Sequence, residues 1–361
     1  MAYSGTVGTT VINVQTLIDH GARRCGKLAE ELTSEQLLSA RQSLFFALSH
    51  IANLGIQYWA INKKVIGLNA DQYIYEMPVG TIDVLNVLYR QMSRPTPNDL
   101  GGYTSSAGGV VANVADSNID TFCQQTSANG NIQVYYGTDN PIYAGSIGIL
   151  PYVAGGGSAT WSVIFEYSTD GATWSTLDDL GSVVVKDNQW IWTDVDPGQT
   201  VEYYRVRVYG GATMALREFY VGNNSLEVQM SRLNRDDYTN LPNKNFTANQ
   251  PYQFWFNRTI PQPGIYLWPV PSDPFIQMTT WYSRQIMDVG ALTDELEVPQ
   301  RWYEAVIFML AHRMSLELPA VSDNRITYLE RMAEKYFFEA EQEERDKSPI
   351  YLSSNISVYT A

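Results

Sequence analysis

The four residues Gln-Met-Ser-Arg occur twice, at 91–94 and at 229–232. Between them lies a Gly-, Ser-, Tyr- and Trp-rich stretch, residues 101–222, whose hydrophobic pattern differs from that of both flanks. A domain spliced into a two-stranded ribbon would leave such an echo at its seams, because the chain runs out along one strand and returns along the other. We therefore expect a host domain made of residues 1–100 and 223–347, an inserted domain at 101–222, and a C-terminal arm at 348–361. The expected class is α+β: a helical bundle with a small antiparallel β sheet or ribbon, carrying an inserted all-β sandwich.

The flanks show helical spacing. Val14, Leu17, Ile18, Cys25 and Leu28 recur behind Asn13, a residue suited to an N-cap. Thr33-Ser-Glu-Gln36 reads as a capping box, since Thr33 can accept from the amide of Gln36. Leu37, Leu44, Phe45, Leu48, Ile51, Ala52 and Gly55 then share one stripe, so the first two helices should form an antiparallel hairpin. Near the other end, Pro299 suits the first turn of a helix over 301–318. Asp323 can cap another, with Ile326, Leu329, Met332, Ala333, Tyr336, Phe337 and Ala340 inward. Between these pairs, 72–75, 83–89, 226–231, 264–269 and 276–287 have the content of strands, and 234–251 is polar and irregular.

The insert reads differently. Its segments 132–136, 146–150, 161–167, 183–185 and 203–209 are short β runs between Gly, Asn and Asp turns, without helical periodicity, which predicts a β-sandwich.

Charge narrows the partners. The chain has 24 basic and 38 acidic residues, a net charge of −14, and the insert alone holds 12 acidic and 4 basic. Such a surface repels phosphate backbones, so groove binding to nucleic acid is not expected. Cys25 and Cys123 fall on different expected domains and read as buried free thiols. The N-terminus has no signal-peptide pattern, and no apolar run approaches the ~20 residues a membrane span needs. We expect a soluble protein without a membrane partner.

The host motifs carry a resemblance. Gly67-Leu-Asn-Ala-Asp-Gln72-Tyr-Ile-Tyr-Glu-Met-Pro78, Tyr266-Leu-Trp-Pro-Val-Pro271 and Asp294-Glu-Leu-Glu-Val-Pro299-Gln-Arg-Trp302 stand in that order. Leu310-Ala-His-Arg313 and Leu316-Glu-Leu-Pro319 follow them. Together they resemble the bacteriophage head-to-tail adaptors of the tail tubular protein A, or podovirus portal adaptor, family, over roughly 12–100 and 226–345. The resemblance implies a structural virion protein of the neck and tail, assembled in the host cytoplasm. It would form a ring of twelve copies between the portal protein and the tail nozzle protein. Double-stranded DNA would pass through without specific binding, as an acidic wall allows. It also implies that the C-terminal segment docks on the portal. The uncharged, alternating residues Pro349, Ile350, Tyr351, Leu352, Ile356, Val358 and Tyr359 suit strand addition to a neighbour's edge.

The insert carries a second resemblance. Ala115-Asp116-Ser-Asn118-Ile-Asp120-Thr121-Phe122, Glu166-Tyr-Ser168-Thr-Asp170-Gly171-Ala-Thr-Trp174, Tyr203-Tyr-Arg205-Val-Arg207 and Leu216-Arg-Glu218-Phe-Tyr-Val are similar to loops and strands of discoidin (factor 5/8 type C) domains. A jelly-roll, galactose-binding-like sandwich is implied. In the hairpin, Asp170-Gly171 supplies the positive-φ turn, and Trp174 is expected to cover one end of the core.

Asp116, Asn118 and Asp120, spaced two apart, with Thr121, could converge on a hard cation, and Ca²⁺ takes six to eight oxygens. An EF-hand is excluded, because its glycine position is Thr121 and its twelfth position is Ser127. The resemblance implies a structural calcium closed by Glu218. The same residues equally fit an Asx-turn loop without metal. For glycans, which stack on exposed rings, Tyr103, Tyr143 and Tyr152 are the candidates; Trp190 and Trp192 share one face of a strand and suit a packed face. Capsid, fibre or host glycan are the partners the insert could reach.

No phosphate loop or Gly-x-Ser-x-Gly elbow is present. His20, His50 and His312 lie on separate expected helices, and Glu339, Glu341, Glu343 and Glu344 read as a solvated helix face. We expect no enzyme and no required cofactor. The reading of the whole is a head-to-tail adaptor; the alternative is a carbohydrate-binding accessory protein acting through the inserted sandwich.

Overall fold

Two strands frame the insert. Thr81–Gln91 leads toward it and Glu227–Gln229 follows it, and they pair antiparallel with Glu227 opposite Arg90 and Gln229 opposite Leu88. The first Gln-Met-Ser-Arg begins at the last residue of the outgoing strand, and the second begins at Gln229, the last residue of the returning one, and runs through Met230 into Ser231–Leu233. In the computed structural model, residues 12–54, 58–91, 102–222 and 226–344 are described. Their contacts divide the chain into two units, 1–61 with 283–361, and 62–282.

The first unit is helical. Val14–Cys25, Ser34–Asn53, Tyr303–Glu317 and Asp323–Glu344 surround a core that includes Leu17, Ile18, Leu44, Ile51, Trp302, Leu310 and Leu329. Local signals set the ends. Asn13 Oδ1 accepts from Thr16 N at 2.8 Å, and Gly26 closes the first helix in the left-handed region. Thr33 and Gln36 form the reciprocal box, with bonds of 3.3 and 3.0 Å. Arg301 and Trp302 both donate to Glu344, at 2.7 and 3.3 Å, so the start of one late helix is tied to the end of the next.

Four expectations shift here. Leu28 lies past the end of the first helix and is 58% exposed, and Glu344, expected on a solvated helix face, is buried. Phe45 is 41% exposed, because the buried stripe runs through Ala40, Leu44, Ala47, Leu48 and Ile51, one step round the helix. Asp323 is the first residue inside its helix, and the carbonyl of Ser322 accepts from Arg325 and Ile326.

The second unit holds two β cores. In the host part, one sheet runs in the order Ile61–Gly67, Ile276–Arg284, Thr81–Gln91, Glu227–Gln229. The other runs Ser231–Leu233, Gln253–Asn257, Gly264–Trp268, Ile74–Glu76. Met77, Val87, Met230, Phe254, Ile265 and Met278 are in their shared core. Buried Met230 is the corner between strands of the two sheets, and its amide bonds to Val87 O at 2.9 Å. This part is larger than the expected ribbon, because Ile61–Gly67 and Gln253–Asn257 also form strands. Within 234–251 the chain makes a short helix, Arg235–Thr239, capped by Asn234.

The insert is a sandwich of two antiparallel sheets. One runs Ile191–Val201, Ile142–Pro151, Ala215–Gly222, Cys123–Gln124. The other runs Tyr103–Ser105, Asn131–Tyr135, Tyr203–Tyr209, Ser158–Ser168, Ser175–Lys186. Alternation gives the core: Tyr204, Val206 and Val208 point in from one strand, Ile132 and Val134 from the next, and Phe219 and Val221 come from the opposing sheet. The buried hydroxyl of Tyr204 accepts from Ala144 N at 3.2 Å and lies 2.7 Å from Ile142 O, tying a strand of one sheet to the other. Cys25 and Cys123 are both free and buried. Among the described residues no helix is long and apolar enough to cross a membrane.

Candidate functional site

The sandwich has two outer faces. On the four-stranded sheet, Trp192 lies flat enough on Gly148 that a Cβ there would sit 2.1 Å from its ring. It also packs on Tyr220 and Trp190, with ring centroids 5.0 and 5.5 Å apart. Trp190 in turn covers Gly67 of the host, where a Cβ would be 2.4 Å away, and its Nε1 donates to Pro274 O at 2.9 Å. Beside this stack, Arg90 of the ribbon is only 2% exposed. It donates to Asp194 of the insert at 3.1 Å, to Gln277 at 3.2 Å, and to Glu227. Asp194 also pairs with Lys63. This face is therefore a packed and ion-paired junction with the host strands.

On the outer face of the five-stranded sheet, the ring and ion contacts of its central strand are with the sheet's own residues and its hairpin. Tyr203, Arg205 and Arg207 alternate with the buried positions of their strand. Tyr203 stacks on Tyr135 at 4.4 Å, and Arg205 lies 3.9 Å over the ring of Trp174. Trp174 was expected at the end of the core; the hairpin instead lays it on this outer surface, against Arg205 and the edge of Tyr203. The turn itself is as expected. Asp170 accepts from the amides of Thr173 and Ala172 at 2.7 and 2.9 Å, which holds its carboxyl well below the usual range, and Gly171 has φ +68°. Buried Glu166 accepts from Arg205 at 2.6 Å and Arg207 at 3.1 Å. Burial alone would raise its carboxyl, but these bonds outweigh it and hold the pKa below the ordinary value.

The 116–121 loop closes on itself. Asp116 Oδ1 accepts from Asn118 N at 2.9 Å, Asn118 Oδ1 accepts from Asp120 N at 3.0 Å, and Thr121 Oγ1 donates to Asp116 Oδ2 at 2.7 Å. These are Asx-turn bonds. Glu218 is fully buried on its strand, while the adjacent Arg217 reaches the loop and donates to Ile119 O at 2.5 Å. Among the described residues, no three His, Cys, Asp or Glu side chains are gathered as metal ligands.

The three candidate tyrosines are not brought together as one platform. Tyr103 is half-buried against the core on an edge strand. Tyr143 and Tyr152 flank opposite ends of the Ile142–Pro151 run, roughly 30 Å apart at strand rise. Tyr143 is 41% exposed and its hydroxyl accepts from Gly198 N, whereas Tyr152 stacks on Phe122 at 3.8 Å with Arg217 over its ring. Pro349, Ile350, Tyr351, Leu352, Ile356, Val358 and Tyr359 lie outside the described residues. Sequence reading missed Arg90, Asp194 and Arg217. A charged residue among Val87, Leu88 and Tyr89 was the available signal for Arg90.

No protein-family model matches the chain, and no curated protein matches it. Among solved structures, it is similar to the carbohydrate-binding module CpGH89CBM32-5 of Clostridium perfringens in complex with GalNAc-β-1,3-galactose. The identity is 11% and the TM-score 0.30, over 34% of this chain and 94% of that one. The family 32 module of C. perfringens NanJ in complex with galactose is similar at 16% identity and TM-score 0.28, over 33% and 90%. The C-terminal domain of a chitobiase from Bacteroides fragilis is similar at 21% identity and TM-score 0.28, over 43% and 99%.

Proposed function

We propose that the protein is a scaffold that presents a carbohydrate-binding, discoidin-like jelly roll. The observation that carries this reading is the pairing of Thr81–Gln91 with Glu227–Gln229 across the insert. The host sheet is complete without a strand of the sandwich, and the sandwich has a core of its own. A separately cored domain set into a ribbon adds a surface to the host rather than a part of its core, and that surface serves recognition. Its chemistry favours hydroxylated, uncharged ligands, because 12 acidic against 4 basic residues repel polyanions. A glycan array probed with the full chain tests this. Saturable binding to neutral glycans is expected; an array without signal contradicts it.

A second reading concerns the host. Its motifs resemble those of head-to-tail adaptors, and one observation favours a partner-bearing role. Around a cleft between Ser34–Asn53 and Tyr303–Glu317, the side chains of Phe46 and Leu316 are more than half exposed, with Leu38 nearby on the first of these helices. In this reading the helical unit joins a ring between portal and nozzle in the virion neck. Electron microscopy of the protein mixed with portal tests it: a ring on the portal face is expected, and bare portals contradict it.

A further inference from the structure

A cleft of about 450 Å³ opens between the insert and the host strands of the same unit. The insert supplies Asn118 and Ile119 from its 116–121 loop, and the host supplies Asn249, Ser272, Asp273 and Phe275. We propose that this cleft binds one unit of a neutral saccharide, so that the ligand touches insert and host together. The proposal rests on the reading of the insert as a carbohydrate-binding module, and it places the site at the junction rather than on the tyrosines.

Both walls are fixed before any ligand arrives. On the insert side, Asn118 N bonds to Asp116 Oδ1 at 2.9 Å, and Arg217 pins Ile119 O at 2.5 Å. On the host side, Phe275 N donates to Asp273 Oδ1 at 2.8 Å, and Ser272 Oγ lies 3.3 Å from Asn249 Oδ1. The bond from Trp190 Nε1 to Pro274 O, at 2.9 Å, ties the sandwich to the host wall itself. Preorganised walls spare a ligand the ordering cost that weakens sites on loose loops.

The lining matches a sugar ring. Side-chain amides of Asn118 and Asn249, the Ser272 hydroxyl and the Asp273 carboxylate provide donors and acceptors for sugar hydroxyls. The Phe275 ring and Ile119 offer apolar surface for the C–H face. The ligand should be uncharged, since Asp273 stands in the cleft and the chain carries a net charge of −14, which opposes uronates and other acidic sugars.

The test is calorimetric and NMR titration of the full chain with the methyl glycosides of galactose, glucose and N-acetylglucosamine. Two variants report on the site. Ala70→Trp fills the cleft from the host wall, where Ala70 lines it. Asp273→Asn keeps an acceptor for Phe275 N, so the turn persists, but replaces one carboxylate oxygen. Binding by the wild type, weakened at least about tenfold in both variants, is the expected result. Wild-type affinity in both variants overturns the cleft and leaves the module reading standing. Failure of all three glycosides to bind the wild type overturns the cleft and, with a blank glycan array, the module reading too. If Ala70→Trp lowers the melting temperature, Asp273→Asn decides the outcome alone.

Discussion

On the four-stranded sheet of the insert, the outward tryptophans Trp190 and Trp192 meet glycines at Gly67 and Gly148, and one of those glycines belongs to the host. On the five-stranded sheet, the outward Trp174 meets Arg205 and Tyr203 of its own sheet. The two faces use the same residue type, and what stands opposite decides its role. Trp190, laid over a glycine of the host, makes a junction that Trp192 backs from within the insert; Trp174, under a guanidinium of its own sheet, makes a cover. An inserted domain is thus fixed in place by one face while its other face stays open to solvent.

The largest effect should come from breaking the junction's charge. Arg90→Ala leaves Asp194 and Glu227 facing a nearly buried gap, and although Asp194 keeps Lys63, about 3 kcal/mol of stability should be lost. Urea denaturation measures this, and a loss below about 1 kcal/mol would mean that Arg90 does not hold the junction. Next come matched tryptophan truncations. Trp192→Ala should cost about 2–4 kcal/mol through the space left over Gly148, and Trp174→Ala about 1 kcal/mol. Equal costs would mean that the two faces do not differ as described.

Acid should sharpen the contrast on the open face. The Glu166 carboxyl is held below its ordinary value of 4.5 by Arg205 and Arg207. The stability it adds is therefore fully present above that value and lost as pH falls through its lower folded value. Glu166→Gln should flatten this part of the acid limb, as read by melting temperature between pH 5 and about pH 3; an unchanged limb contradicts it. Smallest of all, chelation with EDTA should shift melting by less than about 1 °C, because the 116–121 oxygens already serve the loop's own amides. A larger drop would place a calcium ion in that loop.

The helices were legible because their signals are local. Asn13, Thr33 with Gln36, and the 329–333–340 stripe each act within a few residues. The sandwich was legible because alternation and the Asp170-Gly171 turn are also local. What could not be read was anything made by distant residues meeting. Arg90 finds Asp194 across 104 positions, and Trp190 finds Pro274 across 84. The strand Gln253–Asn257 escaped because its neighbours in sequence are polar, while its partner Gly264–Trp268 supplies the sheet. Tyr152 looked like a free ring until Phe122, thirty residues earlier, was found stacked on it.

Hydrogen–deuterium exchange on the full chain, with and without the three methyl glycosides, tests most directly whether insert and host recognise a ligand together. Exchange should slow at 117–121 and at 272–276 in the same titration, with one apparent affinity. Protection confined to the five-stranded face, or to one wall of the cleft alone, would contradict it.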